Sequence, residues 1–176
     1  MFKEPYIFNI ARFMDEKRFA KIQEFAKDIT TPCLIVDLDI VRNKYLELQA
    51  SMPDYKIYYA VKANPMQEVI MLLNELGAYF DLASPYELDQ ILDLGIEPER
   101  LSFGNTIKKV SDIKYFYDRG VRFFTTDSKL DLNNLAKYAP GSKVLFRILT
   151  EGTGADWPLS RKFGSHPDTI YHLIVK

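Results

Sequence analysis

The sequence has one cysteine among 176 residues, Cys33. A single thiol cannot close an internal disulfide, so a reducing, cytoplasmic setting is expected. Cys33 itself reads as a small buried strand residue. No apolar stretch approaches the ~18 residues that a membrane-spanning helix needs. Met1-Phe2-Lys3-Glu4-Pro5 carries no signal-peptide core. Basic and acidic residues number 23 and 24, and no long run has one sign. That balance argues against a general nucleic-acid or membrane-surface binder. Low-complexity linkers are also missing. What remains is 47% hydrophobic and 27% charged, the composition of a soluble globular protein.

Short β-type runs recur at Ile57–Val61, Tyr79–Leu82, Leu101–Phe103, Arg122–Thr125 and Lys143–Ile148, spaced by 21 or 22 residues. Each gap holds a helical pattern. Val69, Leu72, Leu73 and Leu76 share one face, with Gly77 as the stop. Ser84-Pro85-Tyr86-Glu87 reads as a capping box, followed by Leu88, Ile91, Leu92 and the stop Gly95. Val110, Ile113 and Tyr117 mark a third helix, and Leu132, Leu135 and Ala136 a fourth. A longer loop, Leu149 to Gly164, precedes a last helix opening near Pro167. Alternating strands and helices imply a parallel sheet with right-handed crossovers, in an α/β fold. A (β/α)8 barrel and an open doubly wound sheet both fit, and the even period favours the barrel. Five strands cannot close a barrel that needs eight. The last residues, Tyr171 to Lys176, are apolar and carry no stop signal, so the chain is expected to continue.

The first 56 residues differ. Phe19, Ile22, Phe25, Ala26 and Ile29 suggest an amphipathic helix before Thr30-Thr31-Pro32. Cys33 to Asp37 reads as a strand. Leu38, Val41, Tyr45, Leu48 and Met52 line the core face of the next helix.

In a parallel barrel the chemistry sits at the C-terminal ends of the strands. Polar residues gather there: Lys62, Asp81, Asn105, Lys108, Thr126 and Asp127. From position alone, Lys62 reads as a solvated cation or a functional amine, and Asp81 as a turn residue or a site acid. Asp127 and Ser128 suit a helix cap. Arg147 sits inside the apolar fifth strand and needs carboxylate or phosphate partners. Together Lys62, Asp81 and Arg147 would make an anion-binding, acid-base site.

The run Tyr59-Ala60-Val61-Lys62-Ala63-Asn64-Pro65 resembles the cofactor-lysine motif of the alanine-racemase-like pyridoxal-phosphate decarboxylases. Phe80-Asp81-Leu82-Ala83-Ser84 resembles that group's second-strand motif. Ser102-Phe103-Gly104-Asn105-Thr106-Ile107-Lys108 and Trp157-Pro158-Leu159-Ser160-Arg161-Lys162-Phe163-Gly164 resemble the ornithine decarboxylase branch, in particular bacterial ornithine or lysine/ornithine decarboxylases. The resemblance runs from about Pro32 onward. It implies a TIM-like barrel with a separate β domain. Residues 1–37 would supply a helix and a strand to that domain, and residues 38–176 an incomplete cofactor-binding barrel of about five strands. It implies pyridoxal 5'-phosphate as cofactor, carried covalently by Lys62, with Asp81 and Arg147 in the cofactor environment. It implies a homodimer with shared active sites and Lys162 near the interface. No metal is implied. His166 and His172 match no family position and read as surface or structural residues, and Trp157 as a packing residue.

The same resemblance places the Gly-rich phosphate loop, the ring-stacking histidine, the pyridine-nitrogen acid and the cross-interface cysteine and aspartate beyond Lys176. The segment alone is therefore expected to be inactive. The implied activity is decarboxylation of a basic L-amino acid, ornithine or lysine, to a diamine in polyamine biosynthesis. Two alternatives stand beside it: a non-catalytic homologue that binds a regulatory partner, and a decarboxylase for arginine, diaminopimelate or carboxynorspermidine.

Overall fold

The computed structural model describes residues 14–150 and 163–175. The chain divides into two compact units, Met1–Asp37 and Leu38–Lys176. In the first, helix α1 spans Glu16–Ala26, and the Asp15 carboxylate caps it by accepting from the Arg18 N–H at 2.8 Å. The Arg18 guanidinium pairs two-pronged with Asp37, with Nη2 2.7 Å from Oδ1. No residue of α1 is buried, and Phe25 on its expected apolar face is exposed. Cys33 to Asp37 does not form the expected strand. A strand persists when neighbours take its N–H and C=O groups, and no strand among the described residues pairs with it. Cys33 is accordingly exposed rather than buried.

The second unit begins with α2 (Leu38–Ser51). Tyr45 is its buried residue, while Leu38, Leu48 and Met52 of the expected core face stay more than a third exposed. Strands and helices then alternate: β1 (Tyr58–Ala60), α3 (Gln67–Glu75), β2 (Tyr79–Leu82), α4 (Pro85–Asp93), β3 (Leu101–Phe103), α5 (Val110–Asp118), β4 (Phe123–Thr126), α6 (Lys129–Tyr138), β5 (Lys143–Phe146) and α7 (Pro167–Ile174). The five strands pair in parallel in the order β1-β2-β3-β4-β5. A doubly wound sheet needs a reversal of strand order. Strictly sequential neighbours are the winding of a barrel, so the second alternative falls.

Alternation along each strand sorts the side chains. Phe80, Leu82, Phe103 and Phe124 face the helices and are fully buried. Phe103 stacks on Phe116 of α5 at 3.9 Å. Residues in register point to the same side. Ala60 pairs with Asp81, and Asp81 with Ser102, which puts this row on the other face. Tyr58 and Tyr79 meet there at 5.0 Å, below Asp81.

Local signals hold with small shifts. Gly77 and Gly95 end α3 and α4 at φ of 90° and 75°, a conformation that glycine adopts without steric cost. Ser84 caps α4 by accepting from the Glu87 N–H at 3.3 Å. The Glu87 carboxylate returns to the Ala83 N–H at 2.6 Å, one residue before the cap. In α5 the buried residues are Ile113 and Phe116, not Tyr117. In α6 they are Leu135 and Asp131, while Ala136 is exposed. No helix among the described residues is long and apolar enough to cross a membrane.

Candidate active site

The chain leaves β1 in a tight 3-10 turn, Val61–Ala63, which carries Lys62 at the C-terminal edge of the sheet. Val61 is fully buried and fixes the turn from below. The Tyr59 hydroxyl donates to the Asn64 carbonyl at 3.2 Å, and the Asn64 side chain accepts from the Met66 N–H at 3.1 Å. Gln90 of α4 donates to the Pro65 carbonyl at 2.7 Å. The motif around Lys62 is thus tied along its length, while Lys62 itself stays exposed.

Lys62, Asp81 and Arg147 share one cavity of about 90 Å³ with Gly104, Asn105, Thr106 and Phe163. Asp81 accepts from the Ser102 hydroxyl at 2.6 Å. Burial pushes its carboxyl above the usual carboxylate range. The Ser102 hydrogen bond and the Lys62 charge oppose that rise without cancelling it. Arg147 lies one residue past β5, and its backbone N–H donates to the Thr126 carbonyl at 2.9 Å. It has no carboxylate partner among the described residues, which leaves phosphate as the other expected partner, and its guanidinium lies 5.1 Å from the Phe163 ring centre. Because Arg147 is half-buried beyond the strand, its charge keeps contact with solvent and does not demand a paired acid.

Gly104 is the closest fit in the cavity wall. A Cβ there would stand 2.3 Å from both Asp81 carboxylate oxygens. Gly104→Ala is expected to swing Asp81 off Ser102 and to lower kcat/KM about 10²-fold, the scale of a roughly 1 Å misplacement. Steady-state kinetics of the full-length protein check this. Asp81→Asn probes the raised carboxyl. A folded-state pKa above the unfolded one favours folding below the unfolded pKa, and that contribution fades as pH rises through the folded pKa. Wild-type stability relative to Asp81→Asn should therefore fall as pH rises, as read by denaturant unfolding across the acidic range.

The other polar residues at the strand ends do structural work. The Asn105 amide donates to the Ala83 carbonyl at 2.6 Å. Lys108 is turned inward with its side chain fully buried, donating to Asn105 O at 2.8 Å and to Thr125 O and Asp131 Oδ2 at 2.6 Å each. Burial lowers its pKa, and the bond to Asp131 opposes that shift. The Thr126 hydroxyl also donates to Asp131 Oδ2, at 2.6 Å. Ser128 alone caps α6. Asp127 instead accepts from the Gly164 N–H at 2.9 Å, which helps bring Phe163 to the cavity. His166 is exposed and accepts from the Asp168 N–H at 3.4 Å as the cap of α7, and His172 is exposed. Lys162 and Trp157 lie outside the described residues. Gly104, Thr106 and Phe163 were not singled out from the sequence as site residues. A glycine directly after a strand end, beside an acid in register, was the available signal.

An amine, a carboxyl of raised pKa and a guanidinium around one cavity suit an aldehyde-bearing anionic ligand. Residues 38–175 match the family described as "Pyridoxal-dependent decarboxylase, pyridoxal binding domain". The lysine/ornithine decarboxylase of Selenomonas ruminantium is 35% identical over 88% of this chain and 39% of its own length. Antizyme inhibitor 2 of Xenopus laevis is 37% identical over 80% of this chain and 31% of its own. A solved structure of SrLDC in complex with PLP and cadaverine aligns with a TM-score of 0.78 at 33% identity, over 92% of this chain and 40% of that one. The chain thus spans well under half the length of these relatives. By that match it belongs to the pyridoxal-dependent decarboxylase family, with residues 38–175 falling in that family's pyridoxal-binding domain.

Proposed function

We propose that the protein decarboxylates a basic L-amino acid, ornithine or lysine, to the corresponding diamine, with pyridoxal 5'-phosphate held covalently on Lys62. The observation that carries this reading is the convergence of Lys62, Asp81 and Arg147 on one cavity at the C-terminal strand ends. When bound, pyridoxal phosphate supplies the electron sink for the pair left as carbon dioxide departs. Lys62 presents a primary amine from a tied turn. Asp81 faces that amine and keeps its proton to higher pH than an ordinary carboxyl, so it suits proton exchange near Lys62. Arg147 offers a charge without a carboxylate partner among the described residues, suited to an anionic oxygen. The relative SrLDC was solved with cadaverine, a diamine, which fits this substrate class. The reading extends to a cytoplasmic homodimer with Lys162 near the subunit interface and to a role in polyamine biosynthesis.

The test is carbon-dioxide release by the full-length protein from ornithine and lysine in the presence of pyridoxal phosphate. Release from either supports the reading, and no release from any basic amino acid with cofactor bound sinks it. The likeness to an antizyme inhibitor favours one other reading, a cofactor-fold homologue without turnover. Lys62-dependent cofactor binding without carbon-dioxide release would select it.

A further inference from the structure

Three buried side-chain atoms among the described residues have no hydrogen-bond partner: Thr106 Oγ1, Asp131 Oδ1 and Ser142 Oγ. Asp131 satisfies its other oxygen with Lys108 and Thr126. Ser142 lies in the turn before β5 and lines no part of the cavity. Thr106 is different. It is 3% exposed and lines the same cavity as Lys62, Asp81 and Arg147. A buried hydroxyl without a partner destabilises the fold, and a valine of the same shape would not.

The backbone leaves Thr106 little freedom to find a partner elsewhere. Gly104 N–H donates to the Leu82 carbonyl at 3.0 Å, and the Asn105 amide donates to the Ala83 carbonyl at 2.6 Å. On the far side, Lys108 donates to the Asn105 carbonyl at 2.8 Å. The loop is held from β2 and from the buried lysine at once, with the threonine between. At about 90 Å³, the cavity admits the edge of a substituted ring or about three waters.

We infer that Thr106 is a further cofactor-contact residue, whose hydroxyl hydrogen-bonds a polar atom of bound pyridoxal phosphate. This rests on the reading of Lys62 as the anchor. Thr106→Val keeps the shape and removes the hydroxyl, and Thr106→Ser keeps the hydroxyl and removes the methyl. Apo full-length protein is titrated with pyridoxal phosphate in equilibrium dialysis, and its unfolding midpoint is measured without cofactor.

The expected result is a Kd raised about 10-fold or more in Thr106→Val, an apo midpoint equal to or above wild type, and near wild-type affinity in Thr106→Ser. Unchanged affinity in Thr106→Val overturns the inference, and so does a lowered apo midpoint, since the hydroxyl would then serve the fold. Failure of Thr106→Ser to restore affinity also overturns it. If Thr106→Val does not fold, Thr106→Ala is compared with Thr106→Ser by the same titration, and equal affinities overturn it. The two readings fail separately. Wild-type protein that binds no cofactor at Lys62 removes the anchor and this inference together. A Lys62-dependent band with normal affinity in Thr106→Val removes only this one.

Discussion

Lys62→Ala is expected to abolish the visible absorbance band of lysine-bound pyridoxal and to lower kcat on the order of 10⁴-fold, the scale of losing a covalent catalytic group. The effect is large because the turn at Val61–Ala63 presents one amine to the cavity, and the other nearby lysine cannot replace it. Lys108 is fully buried and holds three acceptors. Lys62→Arg separates charge from nucleophilicity. A guanidinium keeps the positive charge beside Asp81 but cannot lose a proton to react at neutral pH. If charge were the contribution of Lys62, Lys62→Arg would retain activity. Equal failure of both variants, with unfolding midpoints near wild type, is the expected outcome. Lys62 is exposed, so its replacement leaves the fold in place and the loss reports on the site.

Lys108→Met should cost about 3–5 kcal/mol of stability in denaturant unfolding, because it strands the buried Asp131 carboxylate and two carbonyls. The pair joins the loop after β3 to β4 and α6, so the loss should reach the cavity through Asn105 and Thr106. Replacing both members, Lys108→Met with Asp131→Leu, removes the isolated charge and should recover part of the stability. The Asn105 and Thr125 carbonyls remain without their donor, so recovery should be incomplete. An exposed pair such as Lys44–Glu47 gives a contrast. Its removal should change stability by less than about 1 kcal/mol.

The sheet was readable in the sequence where side chains alternate or run apolar. Tyr79–Leu82 and Leu101–Phe103 have the expected bounds. β1 and β5 are shorter than expected because the chain bends into its 3-10 turn at Val61, and because Ile148 pairs instead with Ser165 in an isolated bridge. Cys33 to Asp37 carries strand-like residues without a pairing strand, and composition cannot supply one. Within the site, position and motif together pointed to Lys62, Asp81 and Arg147, and the fold brings them to one cavity. Gly104 becomes legible only when the parallel register sets Asp81 against Ser102 and the carboxylate fills the space a Cβ would take at Gly104, two residues further on. Asp131 looks like an ordinary first-turn helix acid. Its partner Lys108 is 23 residues away on another loop, so only the fold reveals the buried pair.

Lys62 is proposed above as the residue that carries the cofactor. The most direct measurement is borohydride reduction of the full-length protein with pyridoxal phosphate bound, followed by digestion and mass spectrometry of the labelled peptide. The expected product is a reduced pyridoxyl-phosphate group on the ε-nitrogen of Lys62, in the peptide that contains Ala63-Asn64-Pro65. A label on another lysine, or no label while cofactor is bound, would contradict it.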